Sequence, residues 1–108
     1  MSIVLSGQGV SSGVARGKVL VIKDPTVSPL IRGEFILVTP FVTPVLAPLL
    51  INAKALILEY GGITAHGASV AREFGIPCVV QIPISKIQDG DLVEVDGSAG
   101  TVAIMADV

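Results

Sequence analysis

Apolar residues in this sequence come as short runs of Val, Ile, Leu and Ala, each bounded by Gly, Pro or Asp, and that punctuation is its strongest constraint on fold. Runs too short for several helical turns and rich in β-branched residues read as strands between turns. Lys18–Lys23 is one, ending at the Asp24-Pro25 turn signal; Glu34–Thr39 is another, entered through Gly33 and stopped by Pro40. Ala55–Leu58 and Cys78–Val80 are two more. The Asp89-Gly90-Asp91 turn leads into the alternating strand Leu92–Val95, and Asp96-Gly97 turns the chain into a closing strand, Thr101–Met105. Between these lie two helical segments. Thr43-Pro44 reads as an N-cap followed by proline at the first helical position, opening a short helix to about Asn52 that must accommodate Pro48. Ala65, Ala68, Ala71 and Phe74 recur at helical spacing, with Gly75 as the C-terminal stop and Pro77 just beyond. The expected fold class is α/β: a compact β/α sandwich of sheets flanked by short helices, with its strand order left open.

Composition narrows the function classes. With 108 residues, 51% of them hydrophobic and only 15% charged, the chain is expected to fold as one domain over residues 1–108 and not as a disordered polymer. Three Phe, one Tyr and no Trp suit strands covered by short helices better than an aromatic ligand groove. The net charge is −2, and the basic residues are scattered, so no basic patch for nucleic acid or an anionic membrane is expected. The longest apolar run, Val45–Ile51, is interrupted by Pro48 and falls well short of the roughly 20 residues that span a bilayer. Cys78 is alone, which excludes an internal disulfide and points to a reducing compartment. No basic and apolar leader opens the sequence, so a cytoplasmic location is expected, and the clean start with the closing strand suggests a naturally short chain. No His/Cys/Asp spacing fits a zinc site; turn chemistry accounts for Asp89, Asp91 and Asp96, and Cys78 reads as an inert core residue.

The stretch that carries chemistry is Gly61-Gly62-Ile63-Thr64-Ala65-His66-Gly67-Ala68-Ser69-Val70-Ala71-Arg72, which joins a buried strand to a helix. Strand-to-helix turns in α/β sheets gather ligands, because the first turn of the helix leaves N–H groups unpaired and presents the positive end of its dipole. Phosphate suits such a site. Thr64 is expected to cap the helix, placing His66, the only histidine, in its first turn. Imidazole is a good nucleophile near neutral pH, and a phosphoryl group on it splits one difficult transfer into two easier ones. Gly67 and Ala68 would leave room for another active site to close around the ring. Arg72 would hold phosphoryl oxygens or pair with Glu73 or Asp91. Each of these residues also has a plain reading: Gly61 and Gly62 as a tight turn with positive φ, and His66 as a surface or satisfied core histidine.

The longer string from Gly61 through Ala71-Arg72-Glu73-Phe74-Gly75-Ile76-Pro77-Cys78-Val79-Val80 resembles the phosphohistidine signature of the phosphoenolpyruvate-utilising enzymes. These include phosphoenolpyruvate synthase, pyruvate phosphate dikinase, enzyme I of the sugar phosphotransferase system and rifampin phosphotransferase. Gly9–Val19, Ile36–Pro40, Asp89–Gly97 and Gly100-Thr101-Val102 resemble the family's opening segment, second strand and closing hairpin. The resemblance implies a mobile, swivelling β/β/α domain. In such a domain His66 is the phosphorylated nucleophile, with Gly61, Gly62, Thr64, Gly67 and Arg72 supporting the phosphoryl group. It also implies two partner subunits or domains: an ATP-grasp-type one that binds ATP and Mg2+, and one that binds an acceptor such as pyruvate. No cofactor or metal is expected on this chain itself. Four departures stand out. Val42-Thr43-Pro44 lacks an acidic residue found in many relatives, and Ala65 replaces a Ser or Cys beside the histidine. Gln81 stands where glycine is common, and the order His66-Gly67-Ala68 leans toward rifampin phosphotransferase-like members.

Two functional readings follow. In one, the chain is a phosphocarrier component of a split phosphotransferase, complete only with partners; in the other, it is a non-catalytic swivelling or regulatory module that keeps the fold. Retention of Gly-Gly-x-Thr-x-His followed by Ala-Arg-Glu favours the first.

Overall fold

A computed structural model describes residues 2–31 and 33–105. Eight strands are described: β1 Ser2–Ser6, β2 Gln8–Ser11, β3 Val14–Val21, β4 Phe35–Thr39, β5 Ala53–Leu58, β6 Cys78–Val80, β7 Leu92–Asp96 and β8 Thr101–Met105. One α-helix, α1 (His66–Phe74), lies between β5 and β6. The strand order is β1-β8-β7-β3-β4-β5-β6-β2. The long β3 serves both halves: Val14–Lys18 pairs antiparallel with β7, and Val19–Val21 pairs parallel with β4. On one side the order continues through antiparallel partners to β1; on the other it runs parallel through β5 to β6, then antiparallel to β2.

β4 is buried along its whole length because it faces two cores. Ile36 and Val38 join Ile57, Val79, Val93, Val95 and Val102 between the two sheet halves. Phe35 and Leu37 point the other way, to Leu56, Leu58, Leu46, Leu50, Ala68 and Ala71 beneath the helical layer. The unbroken apolar run of β4 reflects this double burial, whereas β7 alternates because only Val93 and Val95 turn inward. The result is three layers, β/β/α.

Closure depends on backbone contact. β1 and β2 are consecutive in the chain yet stand at opposite ends of the strand order, so the order bends round until its ends meet at Gly7. There the Gly7 N–H donates to the Gly100 carbonyl (2.9 Å) and the Gly97 N–H to the Gly13 carbonyl (2.8 Å). A Cβ at Gly97 would lie 1.8 Å from the Ser11 carbonyl oxygen, and one at Gly9 2.0 Å from that of Gly97.

α1 ends as its sequence predicts. Gly75 is left-handed (φ 69°), and the Ile76 N–H reaches back to the Ala71 carbonyl at 3.0 Å. Elsewhere the sequence reading needs correction. The first long strand runs Val14–Val21, not Lys18–Lys23, because its first half is recruited by β7. The segment Pro44–Ile51 is a 3₁₀-helix, which fits the missing donor of Pro48 within it. Thr43 does not cap it; its hydroxyl donates to the Pro25 carbonyl.

Gly97→Ala should destabilise the fold by about 3 kcal/mol or more, since the added methyl meets main chain that cannot rotate away. A urea midpoint indistinguishable from the parent's would refute this account of closure.

Candidate functional site

The site lies where β5 ends and α1 begins, at the C-terminal edge of the parallel strands, the edge at which open α/β sheets bind ligands. β5 leaves the sheet at Leu58, and Gly61 turns the chain with φ 122°, a conformation that disfavours any side chain. A Cβ there would also come within 3.0 Å of the Ala65 Cβ. Gly62 is different: its φ is not in the positive region, and a Cβ would find the Gln8 Oε1 at 3.9 Å as its nearest neighbour. Of the two glycines expected to need positive φ, only the first does. The Gly62 carbonyl then accepts the Ala65 N–H at 3.0 Å, and the Ala65 carbonyl accepts the first helical bond, from the Ser69 N–H at 3.1 Å.

Ala65, not Thr64, occupies the N-cap position, and no side chain caps the helix. Thr64 lies one residue too early and is exposed. His66 is thus the first residue of α1, exposed, with the helix's leading amides uncapped by any side chain. Beside it opens a pocket of about 410 Å³ lined by Phe41, Val42, Leu58, Tyr60, Gly61, Ala65, His66 and Gly67. No Lys, Arg, Asp or Glu is among them, so a negative group on His66 would meet no charged side chain in the pocket wall.

Of the two residues expected to leave room beside the ring, Gly67 lines the pocket and Ala68 does not. Both are buried against the sheet, and a Cβ on Gly67 would meet Leu58 Cδ1 at 2.5 Å and Val42 Cγ2 at 3.1 Å. Gly67 lets the helix start close to β5. Arg72 is also differently employed. Its guanidinium donates to the Val10 carbonyl and the Ile63 carbonyl, each at 2.9 Å, tying α1 to β2 and to the turn before His66. These bonds engage its terminal nitrogens in place of an ion pair with Glu73 or Asp91.

Asp91 and Asp96 serve turns, whereas the Asp89 carboxylate reaches the end of β3, 68 positions away, instead of its own turn. Asp89 accepts from the Val21 N–H, Asp91 from that of Gln88, and Asp96 from those of Ser98 and Ala99. Among the described residues no three of His, Cys, Asp or Glu come together to hold a metal. Burial pushes the Cys78 thiol up to about 12, only partly offset by the positive charge of Arg72.

The sequence reading missed the pocket walls. Phe41 and Tyr60 follow the ends of β4 and β5, and both are exposed (48% and 61%), so two of the chain's four aromatic residues stand beside the histidine. Their position just beyond two apolar runs was the available signal. Gln81 was noted only for replacing a glycine; it contacts the Gly61 carbonyl.

Fold and site define a small β/β/α domain that presents an exposed histidine at a strand–glycine–helix turn. The chain belongs to the family described as "PEP-utilising enzyme, mobile domain", whose profile matches residues 31–100. It is 42% identical over 103 residues to a probable phosphoenolpyruvate synthase of Archaeoglobus fulgidus, covering 93% of this chain and 14% of that protein. It is 41% identical over 100 residues to the rifampicin phosphotransferase of Bacillus subtilis, covering 91% of this chain and 11% of the relative. The chain therefore spans a small fraction of these relatives. Among solved structures, an Enzyme I protein superposes with a TM-score of 0.62 at 32% identity, covering 71% of this chain and 33% of that one. A chain of Thermococcus kodakaraensis aconitase X superposes with a TM-score of 0.75 at 28% identity, covering 96% and 99%. No helix among the described residues is long and apolar enough to cross a membrane.

Gly67→Ala should cost about 1–2 kcal/mol net, overpacking against Leu58 and Val42 outweighing the gain in helix propensity. Gly62→Ala, with open space around it, should melt within a few degrees of the parent. Equal thermal midpoints for the two variants would contradict the packing described. The Cys78 thiol sets a pH dependence. Its pKa is raised in the fold, so its stabilising contribution is complete below the unfolded thiol's value and is lost as pH rises from about 9 toward 12. Cys78→Ala should flatten the alkaline limb of a stability–pH curve, and an unchanged limb would count against burial as the cause.

Proposed function

We propose that the chain is a phosphocarrier in which His66 accepts a phosphoryl group at one active site and delivers it at another. The observation that carries this reading is the setting of His66: exposed, first in α1, behind the Gly61 turn, with no side chain capping the helix. An imidazole nitrogen attacks the donor's phosphorus; an N–P bond forms as a P–O bond breaks, and the leaving oxygen departs with the electron pair. The acceptor's oxygen later reverses this step. Backbone amides at the start of α1 stabilise the phosphoryl oxygens, with Gly61 and Gly62 allowing close approach and Thr64 offering a hydroxyl from the rim. Gly67 and Arg72 support the site indirectly, one by seating the helix on Leu58 and the other by anchoring the Ile63 carbonyl.

The pocket offers no carboxylate for Mg2+, which binds through oxygen ligands. On this reading ATP and Mg2+ are bound by an ATP-grasp-type partner, and a second partner binds the acceptor. The small share of each relative that this chain covers supports that division of labour. A second reading, a fold-retaining interaction module without phosphoryl transfer, is favoured by the nearly end-to-end superposition on the aconitase X chain.

One experiment separates the two. The chain is mixed with radiolabelled ATP, Mg2+ and candidate ATP-grasp and acceptor-binding subunits, and protein-bound label is assayed for acid lability and base stability. The carrier should take up such label, and His66→Asn should abolish it while melting normally. Label that persists in His66→Asn, or never appears with any partner, would leave the interaction module as the reading.

A further inference from the structure

Beside the Gly61 turn, just past the strand that follows α1, one residue departs from ordinary backbone geometry. Gln81, immediately after β6, has φ 64°, the single non-glycine residue with positive φ among those described. A residue other than glycine, Asn or Asp held there carries a conformational cost, and such costs persist where the surroundings over-determine the geometry. Here the surroundings are polar. The Gln81 Nε2 donates to the Gly61 carbonyl and to the Gln8 Oε1, each at 3.3 Å. The Gly61 carbonyl can only accept, which fixes the amide's orientation, since a flipped Oε1 would face its oxygen.

We infer that Gln81 is a positioning residue for His66, acting through the Gly61 carbonyl; the inference rests on the carrier reading above. The connection is continuous. Gln81 holds the Gly61 carbonyl, and this fixes the plane of the trans Gly61–Gly62 peptide, so the Gly62 N–H points away from the Gln81 side. The next carbonyl, that of Gly62, accepts the Ala65 N–H, and Ala65 is the N-cap residue directly before His66. Arg72 restrains the same turn through the Ile63 carbonyl. Gly61 has no side chain to limit its rotation, so the peptide that begins the turn depends on these external donors. A glycine at position 81 would adopt the same φ without strain but could not hold the carbonyl. Gln81 thus accepts backbone strain and supplies a donor at the turn that positions the nucleophile.

Two substitutions separate the donor from the backbone. Gln81→Gly relieves the strain and removes the donor; Gln81→Glu keeps the shape and turns the donor into an acceptor facing the Gly61 and Gln8 oxygens. Phosphoramidate, a small chemical phosphoryl donor that needs no partner, serves as the probe, with phosphohistidine followed by 31P NMR. Loss of a hydrogen bond of this kind should slow phosphorylation of His66 roughly threefold to tenfold in both variants. The Gly61 carbonyl 13C resonance should move upfield, and Gln81→Gly should melt no lower than the parent. Parental rates in Gln81→Gly, or an unmoved Gly61 carbonyl resonance in a folded Gln81→Glu, would overturn the positioning role. Neither result depends on a partner, so each is distinguishable from a failure of ATP-dependent labelling.

Discussion

Strand β4 is buried on both faces, and β5 is buried on both except at Lys54; such strands are stable only when two layers cover them. The antiparallel half of the sheet supplies one cover, and α1 with the 44–51 segment supplies the other. Covering the first face forces the strand order to bend back until its ends touch, which only the Gly9, Gly97 and Gly100 crossing permits at that distance. Covering the second face lays α1 across the sheet through Ala68 and Ala71, with its first residue above the end of β5. The place of His66 is therefore a consequence of core packing, with the turn supplying only the last adjustment.

That adjustment comes from several directions. Gly67 lets the helix approach Leu58; Gln81 and Arg72 hold the Gly61 and Ile63 carbonyls of the turn; Gly61 provides its positive φ. None of these contacts involves the imidazole. The ring is left exposed beside a pocket bordered by Phe41 and Tyr60 and free of Lys, Arg, Asp and Glu.

Much of the fold was legible in the sequence because its signals are local. The β4 and β5 runs, the Gly75 stop of α1 and the Asp-Gly turns before and after β7 each follow from a few neighbouring residues. What was not legible depends on distant partners. The early start of β3 depends on β7 some distance along the chain. Thr43 reads as a cap until the Pro25 carbonyl claims its hydroxyl, and Arg72 reads as a phosphate ligand or an ion-pair partner until the Val10 and Ile63 carbonyls are seen beside it. The site showed the same division. The strand–glycine–helix turn stood out from spacing and His66 from the family string around it, whereas the inward packing of Gly67 and Ala68 required knowing which face of α1 meets the sheet.

The contact between Gly67 and Leu58 also sets which parts of the site can be rewritten. A methyl group at Gly67 is felt in the core, whereas Ile63 and Thr64 touch mainly solvent and Ala65 is only partly covered. The floor of the site shares its constraints with the hydrophobic interior, and the rim is almost free of them. A chain built this way can change the surface around the histidine by substitution without re-solving the problem of folding.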